Sequence, residues 1–221
     1  MKKIIFAFLT ILFGISGFSQ NGDNARVSGS TYINPARNKD KPKGSPYNQP
    51  AFARAKVPNI NVEAYMRYNI YADEFEFITP KNDTLILDKI DDFGTIDFAN
   101  LNKKYTLVAY TDQKKLVYGY LLNQYEKGGY VLLKKENVSF TEAKIPKTTL
   151  ETAMPAKYSK REDSFFLKNK EAGIAEFPDG KKALTKLFPD KKQAIEEFLK
   201  SNTIDFESQA DLIRVVNFLA Q

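Results

Sequence analysis

The 221-residue chain contains no cysteine, no histidine and no tryptophan. Without cysteine there are no disulfides, no thiol nucleophile, no Cys-based metal site and no lipidated N-terminal Cys. Without histidine, Ser-His-Asp and Cys-His nucleophile systems, imidazole metal ligands and the usual proton shuttle near neutral pH are excluded as well. No G-x-x-x-x-G-K-[ST] or G-x-G-x-x-G stretch occurs, so nothing supports a phosphate-cradling loop. An enzyme would have to run on carboxylates, lysine or tyrosine. The expectation is a non-enzymatic protein with no cofactor and no metal.

Long apolar runs are scarce too. The longest, Ile4 to Ile15, is about 12 residues, short of the roughly 20 that span a bilayer. It follows Lys2 and Lys3 and precedes the small-x-small stretch Gly17-Phe18-Ser19. That order is the layout of a secretory signal peptide over residues 1–19, so the mature chain is expected to be exported and to keep no transmembrane segment.

What is present is enough for a core: 43% of residues are hydrophobic, with 17 Phe and 12 Tyr. The formal charge of +6 is unevenly spread. Residues 21–60 carry seven bases and two acids, whereas residues 61–221 carry 24 bases and 25 acids, so the body is near neutral. Residues 20–60, rich in Gly, Asn, Ser and Pro and without apolar periodicity, read as a basic arm or linker. Arg37, Lys39, Lys41 and Lys43 are its candidate contacts to an anionic surface; in a cell envelope that means phospholipid or lipopolysaccharide headgroups, not nucleic acid. Tyr47 and Phe52 are the arm residues that could dock on the domain.

Residues 61–178 show short strands separated by polar turns, at 63–70, 74–79, 84–89, 94–98, 104–110, 115–123, 129–136 and 138–144, with a last hairpin at 163–168 and 173–177. Short connections make neighbours antiparallel. Alternation is cleanest at Tyr105, Leu107, Ala109 and at Val117, Gly119, Leu121, one face of which can be buried. Between Tyr68 and Phe75 the apolar parity changes from even to odd, which demands either a hairpin at residues 71–73 or a bulge. Residues 146–161 read as a long loop. From 179 to 221 the period becomes helical: a helix over 181–188, a second with Asp190 as cap and Gln193 at N3, and a third over 208–219 capped by Ser208, with Leu212, Val215, Val216 and Leu219 on one stripe. The fold class is α+β, an antiparallel β-meander forming a curved sheet or partly open barrel, followed by C-terminal α-helices packed on it.

The stretches Gly44–Tyr47, MRYNIYADEFEFI, NDTLIL and DKKQAIEEFLKSN running into DLIRVVNFL resemble a group of uncharacterised exported proteins of Bacteroidota-type bacteria that share an RYN-x-Y-x-DE-x-EF segment and two terminal helices. The resemblance implies a cell-envelope location, periplasmic, outer-membrane-associated or secreted, and the architecture above. Asp83-Thr84-Leu85 is similar to the O-glycosylation pattern such bacteria use on exported proteins, which makes Thr84 a candidate acceptor.

Two carboxylate clusters, Asp73/Glu74/Glu76 and Asp88/Asp91/Asp92/Asp97 around Gly94, read as solvated turn and edge residues. The second spacing does not match an EF-hand loop. The aromatics Tyr65, Tyr68, Tyr71, Phe75 and Phe77 are core and sheet surface on the plainest reading and candidate partner or groove contacts on a sharper one. The leading expectation is therefore an interaction module of the envelope. The alternative is a periplasmic lipid or lipoprotein carrier using an apolar groove of the curved sheet, in the manner of half-barrel lipoprotein carriers.

Overall fold

The computed structural model describes residues 41–146, 148, 150–169 and 173–221. The signal-peptide segment and the basic contacts Arg37 and Lys39 lie outside these residues. Twelve strands are described: β1 (Ala53–Val57), β2 (Val62–Asn69), β3 (Glu74–Ile78), β4 (Thr84–Ile86), β5 (Thr95–Phe98), β6 (Lys103–Asp112), β7 (Lys115–Lys127), β8 (Tyr130–Lys135), β9 (Val138–Thr141), β10 (Lys157–Lys160), β11 (Ser164–Asn169) and β12 (Gly173–Glu176). Three helices follow, α1 (Lys181–Leu187), α2 (Lys192–Ser201) and α3 (Gln209–Leu219). The fold is α+β, as the sequence predicts.

Ten strands form one sheet in the order β12-β11-β8-β7-β6-β5-β1-β2-β3-β4. It partly closes on itself. One edge of β6 pairs with β5 at Lys103–Thr106 and, further along, with β12 through the parallel bridge Thr111–Ala175. Strands β6, β7, β8, β11 and β12 thus make a five-stranded barrel-like sheet, filled by Tyr110, Leu121, Val131, Leu133 and Phe166.

The other face of β6 and β7 is covered by the rest of the sheet, which curls back over it. Register places Tyr105 opposite Leu122 and Leu107 opposite Tyr120, and these four share a second core with Ala55, Val57, Met66, Tyr68, Phe75, Ile96 and Phe98. This corrects the expectation that one face of these strands is buried and the other wet. Successive side chains alternate faces, and both faces of this wall are buried, each in a different core. A third core lies where Leu132 and Leu167, on the outer face of β8 and β11, meet Leu184, Ile195, Leu212, Val215, Val216 and Leu219 of the helices.

The parity change in the MRYNIYADEFEF segment is a hairpin. Met66 pairs with Phe77 and Tyr68 with Phe75, so a four-residue loop brings even and odd positions to one face. Asp73 takes a φ of 56°, which Asp tolerates, and Asn69 Oδ1 accepts from the Ala72 amide at 3.1 Å. The loop sits against β7 at Gly119, where an added Cβ would collide with the Asp73 carboxylate.

Three further expectations are corrected. Residues 53–57 are not linker: β1 lies in the middle of the sheet, between β5 and β2, so the folded part extends into the supposed arm. Inside the supposed loop at 146–161, β10 pairs with β9. Asp190 makes no cap; it lies in a 3-10 turn, Pro189–Lys191, and Lys191 is the N-cap residue of α2. The Lys191 ammonium instead donates to the Leu219 carbonyl at 2.6 Å, where a cation suits the negative end of α3.

The β6–β7 turn is a two-residue connection in which Gln113 (φ 47°) and Lys114 (φ 63°) are both left-handed. Such turns favour Asn-Gly, and a lysine there is strained by about 1 kcal/mol. Lys114→Gly is expected to stabilise the protein by about that amount, read as a rise of roughly 2–4 °C in a thermal melt.

Candidate functional site

β2 pairs with β1 along Val62–Met66 but with β3 only from Met66 to Asn69. Beyond Met66 and Phe77 the two strands diverge; Ile78 keeps the β3–β4 register opposite Thr84, on the edge away from β2, and the chain runs on through Thr79 and Pro80. The fork leaves a groove of about 450 Å³ at the open end of the second core. Its walls include Val57, Ile60, Val62, Met66, Phe77 and Leu87. The single charged side chain on its lining is Glu63, which is paired with Arg54 at the rim. Such a volume and lining fall within the range of small-ligand sites.

The five candidate aromatics separate into three places. Tyr65, 60% exposed, and Phe77 line the groove. Tyr68 and Phe75 are buried in the second core, so they cannot be contacts for a partner. Tyr71 stands at the hairpin tip and packs with Phe140 and Tyr158, at ring distances of 5.9 and 5.5 Å. Thr84 is exposed at the start of the edge strand β4. Lys41 and Lys43 are exposed, and the backbone of Lys43 is tied to β10 by bonds of 2.8 Å to Ala156 and Tyr158.

Residues 43–52 form a strap across β2. Tyr47 bridges to Asn69, the Ile70 amide donates to the Pro46 carbonyl at 2.9 Å, and the Arg67 guanidinium lies over the Tyr47 and Phe52 rings at 4.1 and 4.3 Å. Arg67 also pairs with Glu76 at 2.6 Å, and Glu76 accepts the Tyr47 hydroxyl at 2.8 Å. Burial and the Glu76 carboxylate push the Tyr47 phenol up to about 12. Burial acts to raise the Glu76 carboxyl, but bonds from Arg67 and Tyr47 together hold it below its ordinary value.

Beneath the strap lies Glu136, 5% exposed, whose carboxylate accepts from Asn48 (2.6 Å), Tyr105 (2.7 Å) and Lys103 (3.1 Å). It faces a cleft of about 20 Å³, room for one water. Nothing in the sequence marked Glu136: it stands in a run of lysines, and its partners come from residues 31 to 88 positions away.

Of the carboxylate clusters, Asp88, Asp91 and Asp92 are exposed, as the sequence predicts, whereas Asp73, Glu74, Glu76 and Asp97 are partly buried. Asp73 pairs with Lys89 at 2.6 Å and accepts the Tyr68 hydroxyl and the Tyr120 amide. Asp91 accepts the Tyr118 hydroxyl. Asp73 and Asp91 thus brace the turns that carry them, and among the described residues no three acids converge on a point where a metal ion could sit. No helix among the described residues is long and apolar enough to cross a membrane.

The fold defines the class: an α+β protein with a partly closed barrel-like sheet, a curled sheet wall and a helical cover. Compared with known proteins, the chain matches no family model, no curated protein and no solved structure.

Proposed function

We propose that this is an exported cell-envelope protein that acts by binding rather than by catalysis, and that it holds one apolar chain, the acyl tail of a lipid or lipoprotein, in the groove between β2 and the β3–β4 turn. The observation that carries this reading is the groove itself, about 450 Å³ and walled by aliphatic and aromatic side chains. A methylene takes about the volume of a water, on the order of 30 Å³, so the groove, open along one side, takes a chain of at most about 15. Each methylene fully withdrawn from water contributes about 0.8 kcal/mol, so the part of a chain that lies against the groove walls is held by burial rather than by a charge partner. The groove's only charged residue is an acid already paired with Arg54, which suits a ligand whose polar head stays in water.

Titration with a single-chain fluorescent fatty acid tests this. The protein is expected to bind it saturably, and Ala64→Leu, which places bulk in the groove while staying apolar, is expected to weaken binding at least tenfold. Absence of saturable binding to the folded protein overturns the reading. An interaction module is the second reading, favoured by the edge strand β4, where Leu85 and Ile86 are 50% and 57% exposed beside unpaired backbone. Native mass spectrometry of protein taken from its own envelope separates the two: a lipid adduct supports the carrier, a protein adduct without lipid the module.

A further inference from the structure

Two cavities open on the curled sheet: the groove of about 450 Å³, and the cleft of about 20 Å³ that ends on Glu136. Among the described residues they share one lining side chain, Met66. It is 1% exposed and stands at the last β2–β3 pair, opposite Phe77 on one side and Ala53 of β1 on the other. We infer that Met66 is the floor of the groove and sets the length of chain it takes. This rests on the groove being an acyl-chain site.

The chemistry on the two sides of Met66 gives the reason for a floor there. Toward the groove the walls are apolar. Beyond it lie Ala51, Ala53 and Phe98, and then the Glu136 carboxylate with Lys103, Tyr105 and Asn48 around it. A methyl end pushed against that group gains no hydrocarbon neighbours and crowds a buried charge. Met66 separates the two, and an unbranched thioether is a side chain that fills such an irregular gap well.

Cutting Met66 back to alanine removes three heavy atoms and joins the groove to the inner cleft. In a series of saturated fatty acids, affinity for the wild-type protein is expected to rise about fourfold per methylene and then level off when the tail reaches Met66. Met66→Ala is expected to move that plateau outward by about two or three carbons. Ala53→Leu added to Met66→Ala refills the inner cleft and returns the plateau to its wild-type length. Met66→Phe, which adds volume, moves it inward. The two Met66 substitutions stress the core in opposite directions, and circular dichroism of each establishes which variant carries the measurement. A plateau that stays in place in a folded Met66 variant overturns the assignment of Met66 while leaving the groove as the binding site. A wild-type protein that binds no member of the series overturns both.

Discussion

Phe75→Ala is expected to cost about 4 kcal/mol of folding stability, the largest loss from any single truncation in the curled sheet. Phe75 is fully buried, and its ring meets four others: Tyr120 at 4.7 Å, Tyr68 at 4.8 Å, Tyr105 at 5.3 Å and Phe98 at 5.9 Å. Those rings come from β2, β5, β6 and β7, so Phe75 ties the curled part of the sheet to the barrel wall. Truncating a buried Phe costs roughly 3–5 kcal/mol, a sum of lost transfer energy and the cavity left behind, and aromatic pairs add about 0.5–1.5 kcal/mol each beyond burial. Collapse into the cavity is hindered on one side, because the hairpin carrying Phe75 is fixed by Asp73 to Lys89, Tyr68 and the Tyr120 amide. Urea unfolding reads the loss, and the melting temperature should fall by roughly 8–16 °C. A loss below about 1.5 kcal/mol means that β1–β5 and the barrel wall are not one packed unit. Phe77, two residues on, is half-buried at the groove, so its truncation should cost less stability and more ligand.

The contrast between these two phenylalanines shows where sequence reading runs out. Period and composition made both of them sheet aromatics. Which one is core and which lines a groove depends on β3 leaving β2 after the Met66–Phe77 pair, a matter of where the ladder ends rather than of residue period. The helices were more legible, since Leu212, Val215, Val216 and Leu219 repeat at helical spacing and all four are buried as that stripe predicts. β1 was hidden for a physical reason: Ala53, Ala55 and Val57 alternate with Arg54 and Lys56, but alanine carries little hydrophobic signal, and flanking prolines and lysines gave the segment a linker's composition. Its insertion between β5 and β2, and the closing bridge from β12 to β6, join residues about 40 and 64 positions apart, and local patterns do not encode such pairings. Met66 was passed over among the aromatics around it. Its position matters because two cavities meet there, and no local signal announces that.

Glu136→Ala is expected to lower stability by about 2–3 kcal/mol, although the residue contributes no apolar packing of note. Its carboxylate is the acceptor for three donors: the buried Tyr105 hydroxyl, the Asn48 amide of the strap and the Lys103 ammonium. Removing it leaves Tyr105 with a phenol in an apolar core and no acceptor, and buried donors orphaned in this way cost roughly 1–3 kcal/mol each. Lys103 is 27% exposed and turns to water, so its share is small. Glu136→Gln keeps one acceptor oxygen but sets an NH₂ against the donors, and about 2 kcal/mol is the expected cost. The pH dependence has a definite sign. Burial acts to raise this carboxyl, but the bonds from Tyr105, Lys103 and Asn48 together hold it below its ordinary value of 4.5. A group whose pKa is lower in the folded state contributes its full stability above the unfolded value, and that contribution disappears as pH falls through the lower, folded one. The wild-type advantage over Glu136→Gln should therefore be constant from neutral pH down to about 5 and shrink below about 4. Because Asn48 belongs to the strap, the same acid range should loosen residues 43–52, giving faster protease cleavage there in Glu136→Gln at pH 7 and in both proteins at low pH. An advantage that stays flat to pH 2 means the carboxylate is not the charged acceptor that holds the strap down.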